Sequence, residues 1–135
     1  MTMDLSSYNV TPGFKQGLEA RRRVLGEEYV GPSIARGAED DFAHQLQQFV
    51  TEYCWGTVWC RDGLPDKTRS IMNLTMLAAL GRTHELRLHT RGALNNGVTK
   101  EEIAEVFLQV GIYAGVPAAV EAFREASKVF EEMGV

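Results

Sequence analysis

Apolar residues recur along the chain with the period of a helix, and no convincing strand alternation is present. Phe14, Leu18, Val24 and Leu25 mark a first helix that ends at Gly26, where a left-handed cap residue is expected. The segment EEYVGPS reads as a loop. A second helix from about Ala38 sets Phe42, Leu46, Phe49, Val50, Tyr53 and Cys54 on one apolar face, with Glu39, Asp40 and Asp41 at the positive end of its dipole. Gly63 and Pro65 make a turn before a helix from about Asp66 to Leu80, apolar nearly all round and expected to be the central, most buried element. Gly81 ends it, and Thr83 is placed to cap a shorter helix that carries Leu86, His89, Ala93 and Leu94 and stops at Gly97. Thr99 and Glu102 form a capping box ahead of a helix with Ile103, Val106, Phe107, Val110 and Tyr113 on one face. Pro117 then opens a last helix with Ala119, Phe123, Ala126 and Phe130 in register.

Six helices with short connections predict an all-α fold, a compact antiparallel bundle forming one domain over residues 1–135, with residues 1–12 a flexible N-terminal segment. At 44% hydrophobic residues, the chain can build a core without disulfides or metal. A bundle this small cannot cover a helix on all sides, so the apolar helix 66–80 points to a homo-oligomer.

Charge narrows the range of partners. A net charge of −4 argues against a protein that coats nucleic acid or anionic lipid, and no apolar run is long enough to span a membrane. The N-terminus carries no export signal, and a cytoplasmic location is expected. Within this acidic chain, residues 61–91 carry a net +3, which suits a small anionic ligand.

Candidate chemistry gathers there. Glu85 and His89, four apart, are neighbours on a helix, where the carboxylate would hold the imidazole in one tautomer and raise its pKa, making a general acid with an orienter; a plain surface pair is the alternative. Arg69 can stay wet at a helix start while reaching inward as a carboxylate clamp, or remain a solvated charge. Trp55 and Trp59 can wall an apolar pocket or pack in the core, as can Tyr113. In the run Arg21, Arg22, Arg23 at most one or two can face any site. His44, His84 and His89 bring no metal-binding pattern, and Cys54 and Cys60, six apart, are expected to be reduced, inert thiols.

The stretches RRRVLGEEYV, YCWGTVWCRDGL, TRSIMNLTMLAALGR, ELRLHTRGALNNGVTKEEI and YAGVPAA together resemble the 4-carboxymuconolactone decarboxylase family, over about residues 14–130. The resemblance implies a helical fold shared with alkyl hydroperoxidase D-like proteins and a ring-shaped homo-oligomer, usually a hexamer. It also implies cofactor-free loss of CO2 from 4-carboxymuconolactone, giving the 3-oxoadipate enol-lactone in protocatechuate breakdown (the β-ketoadipate pathway). The substrate, a small anionic lactone, is its own electron sink, since the leaving carboxylate's electrons flow through the ring double bond onto the lactone carbonyl. On this reading His89 is the acid, Glu85 its orienter and Arg69 the clamp. Trp55, Trp59 and Tyr113 are pocket candidates, and Arg22 is one that could come from a neighbouring subunit. Redox relatives carry CxxCxxxH, which, aligned on His89, would need cysteines at Arg82 and Glu85. A thiol-dependent peroxidase is therefore a secondary reading, beside a non-catalytic binder of small carboxylates.

Overall fold

The computed structural model describes residues 3–135. Among them it has seven α-helices, one π-helical segment and no strand, so the chain is all-α. It divides into two compact units, the first ending at Gly63 and the second running from Leu64 to Val135.

In the first unit α1 (Pro12–Leu25) is capped by Thr11, whose hydroxyl accepts from the Phe14 amide, and closes at Gly26 with φ 88°. The predicted EEYVGPS loop is instead helical: α2 (Glu27–Glu39) starts at once and runs through Pro32. A proline there removes one backbone hydrogen bond at a cost of about 3 kcal/mol. The fully buried Val30 and Ile34, on one face of the helix, each contribute about 1.5–3 kcal/mol and outweigh it. The N-terminal segment, expected to be flexible, is held down at Tyr8 and Asn9. Tyr8 is buried, donates its hydroxyl to the Ile34 carbonyl at 2.6 Å and stacks on His44, while the Gln48 side chain brackets the backbone of Asn9.

The predicted second helix also differs. Helix α3 (Asp41–Phe49) passes directly into the π-helical segment, Val50–Trp59. Its supposed core face lies outward, with Phe42 89% exposed and Leu46, Phe49, Tyr53 and Cys54 also exposed. The π-helical segment buries Thr51, Trp55 and Trp59. It packs on α1 so closely that a Cβ at Gly17 would lie 1.8 Å from the Thr51 carbonyl oxygen and one at Gly56 would lie 2.2 Å from that of Gly13. Only glycine permits this backbone contact.

The second unit follows its sequence more closely. It contains α4 (Asp66–Leu80), α5 (Thr83–Asn95), α6 (Lys100–Tyr113) and α7 (Val116–Met133). Both bonds of the Thr99–Glu102 capping box form, at 3.0 Å each. Arg82, not Thr83, occupies the N-cap of α5. The core joins Leu74, Leu86, Ile103, Phe107, Val110 and Ala126, with Val106 and Phe130 packed against it. Helix α4 is less buried than expected: Ser70, Leu74 and Ala78 face inward, while Met72, Met76 and Leu80 are exposed. Tyr113, expected on the α6 core face, is 82% exposed at the helix end. No helix among the described residues is long and apolar enough to cross a membrane.

Candidate active site

His89 projects from α5 toward α4, and its Nδ1 lies 3.4 Å from the Asn73 amide nitrogen. An amide nitrogen only donates, so this contact favours the tautomer with the ring proton on Nε2. Burial pushes the imidazole pKa down to about 4, so the ring is neutral at rest. The rise expected from Glu85 does not occur: Glu85 lies on the exposed side of α5, and desolvation decides the shift. Asn73, which no motif singled out, touches the ring; a polar residue inside a helix as apolar as α4 is the signal that could have found it.

Arg69 is half-buried and lies one turn before Asn73 on α4, so the guanidinium and the amide share a helix face. The other cations of this region are more neutralised than the sequence suggested. Lys67 pairs with Glu102 at 3.1 Å, Arg91 with Glu132 at 2.9 Å, and Arg87 and Lys128 share the buried Glu125. Two grooves of about 390 and 430 Å³ along α6 and α7 do not include His89.

The remaining candidates divide by burial. In the first unit Trp55 and Trp59 are buried and stacked, with ring centroids 4.7 Å apart and planes 19° from parallel. Arg22 faces outward in an ion pair with Glu27. Of the arginine run it is Arg21 that is buried, 4% exposed, donating to Gln47 at 2.8 Å and Thr51 at 3.2 Å and facing the Tyr29 ring. Cys54 and Cys60 are free thiols. Desolvation raises the pKa of the Cys54 thiol against the pull of Arg21, which works against a reactive thiolate.

Residues 44–128 match the carboxymuconolactone decarboxylase family. The chain is 46% identical to 4-carboxymuconolactone decarboxylase of Acinetobacter baylyi, over 90% of each chain. It is 41% identical to nitrosuccinic acid decarboxylase of Metarhizium robertsii, over 89% of this chain and 82% of that one. An uncharacterised 15.0 kDa protein of Paracoccus denitrificans is 36% identical over 62% of this chain and 63% of its own. Extent and identity agree: the chain belongs to the carboxymuconolactone decarboxylase family.

Proposed function

We propose that the chain is a carboxy-lyase that converts 4-carboxymuconolactone to the 3-oxoadipate enol-lactone and CO2. The observation that carries the proposal is a part-buried, neutral His89 held by Asn73 on the helix that also bears Arg69, in a chain 46% identical to a decarboxylase of that name.

The C–CO2 bond breaks, its electron pair enters the ring double bond, and charge gathers on the lactone carbonyl oxygen. The ring carbon beside the carbonyl then takes a proton. Each turnover therefore consumes one proton, and His89 delivers it. A dianionic substrate makes this workable: two unit charges 4 Å apart at an effective dielectric near 20 attract by about 4 kcal/mol. That offsets the desolvation and recharges the imidazole only when the site is occupied. Asn73 serves both ring states, since its amide can donate to Nδ1 or, turned over, accept from it. It joins Glu85 as an orienting candidate. Arg69 holds the acetate arm in bidentate fashion.

Arg22 and Tyr113, both facing outward, fit contacts supplied by a second copy of the chain. The exposed Phe42 and Phe49 of the first unit, and Ile112 and Val116 of the second, support a homo-oligomer, with a hexamer as the form the family resemblance suggests.

A second substrate has a specific reason behind it. Nitrosuccinic acid, in the name of the Metarhizium relative, is also a dicarboxylate with an electron-accepting group that can receive the pair left by CO2. Both compounds belong in the assay.

The test is turnover of 4-carboxymuconolactone generated in situ, followed by CO2 release and ultraviolet absorbance. His89→Ala and His89→Gln should lose about 10²–10⁴-fold in kcat, the usual contribution of a positioned acid. Near-normal turnover by either variant in an intact oligomer removes the histidine from the mechanism.

A further inference from the structure

Arg21 is a buried cation, and among the described residues no carboxylate lies within ion-pairing distance of it. Its hydrogen bonds go to the neutral Gln47 and Thr51, its guanidinium faces Tyr29, and its Nε is buried with no hydrogen-bond partner. Burying a charge in this way is unfavourable, and an apolar side chain of similar volume would fill the space at less cost. The arginine must therefore contribute geometry.

Its contacts show which geometry. A single nitrogen, Nη1, joins α1 to Gln47 on α3 and to Thr51 in the first turn of the π-helical segment. Thr51 is held a second time, because Gly17, one turn before Arg21 on α1, brings its backbone against the Thr51 carbonyl. Thr51, Trp55 and Trp59 follow one another at intervals of four residues along the buried face of that segment. Fixing Thr51 therefore fixes the register of both indoles. A π-helix is a rare arrangement that surrounding contacts must maintain, and such segments are frequent at functional sites.

We propose that Arg21 is a positioning residue: it pins the π-helical segment to α1 and so sets the stacked Trp55–Trp59 pair.

The chain has two tryptophans, so 5-fluorotryptophan labelling gives two ¹⁹F resonances, each displaced by the ring current of its stacked neighbour. In Arg21→Met both resonances should move toward the position of the free amino acid while helical content is retained. Arg21→Lys should recover part of the displacement, because one nitrogen makes both hydrogen bonds. Thr51→Val removes only the hydroxyl and carries the test if Arg21→Met does not fold. Resonances at their wild-type positions in the folded variants overturn the proposal.

Discussion

The core of the second unit is mainly apolar, built from Leu74, Leu86, Ile103 and Phe107, and its charges are met by partners, Lys67–Glu102 and Arg91–Glu132 at the edges and the buried Glu125 by Arg87 and Lys128. The first unit has a guanidinium inside with no acid beside it, a helix that runs through proline, and a π-helical segment touching α1 backbone to backbone. One unit is held by side chains packed around helices of ordinary geometry. In the other, specific contacts hold helices of unusual geometry. The first kind of construction tolerates local change, and the second concentrates its dependence on a few positions.

Glycine substitution should show the contrast most strongly. Gly17→Ala puts a methyl group 1.8 Å from a backbone oxygen that cannot move without dislodging the π-helical segment, and should cost more than about 3 kcal/mol in urea unfolding. Gly111→Ala in the second unit meets only the Ala119 methyl at 3.1 Å and gains helix propensity. It should change stability by less than about 1 kcal/mol, and equal losses at the two positions would erase the distinction.

The pH dependence of stability sharpens the account of the second unit. The folded His89 titrates near 4 and the unfolded one near 6.5, so below pH 6.5 the unfolded chain binds a proton that the folded chain does not. Stability from this group is complete above pH 6.5 and falls as pH drops toward 4, by about 3 kcal/mol in all. His89→Gln should flatten that part of the curve, and an unchanged slope would mean that the imidazole is not desolvated.

The smallest effect compares two caps. Thr99→Ala breaks a reciprocal capping box and should cost about 1.5 kcal/mol, whereas Thr11→Ala loses a single bond to the Phe14 amide and should cost about 0.5–1 kcal/mol, both read by thermal unfolding.

These differences also explain what the sequence could reveal. The bounds of α4, the capping box at Thr99 and the glycine stops at Gly26, Gly81 and Gly97 depend on neighbours in the chain, and all were legible. The helix through Pro32 and the burial of Arg21 depend on what packs against them from far along the chain, and the outward face of Phe42 and Phe49 on which side of their helix the chain covers, so a local pattern could not show them. The candidate site divides in the same way. His89 and Arg69 could be named as candidates from spacing and family likeness, but the imidazole's neutrality and its contact with Asn73 follow from the folded surroundings.

The glycine contact between α1 and the π-helical segment has a consequence for how such a chain can diversify. On the proposed function, side chains around His89 can be exchanged in small steps, each slightly altering which anion fits. At Gly17 and Gly56 no small step exists, because the least possible addition, one methyl group, already collides with the backbone. New substrate preferences should therefore arise by substitution on α4 and α5, while these two positions keep the placement of the indoles constant from one descendant to the next.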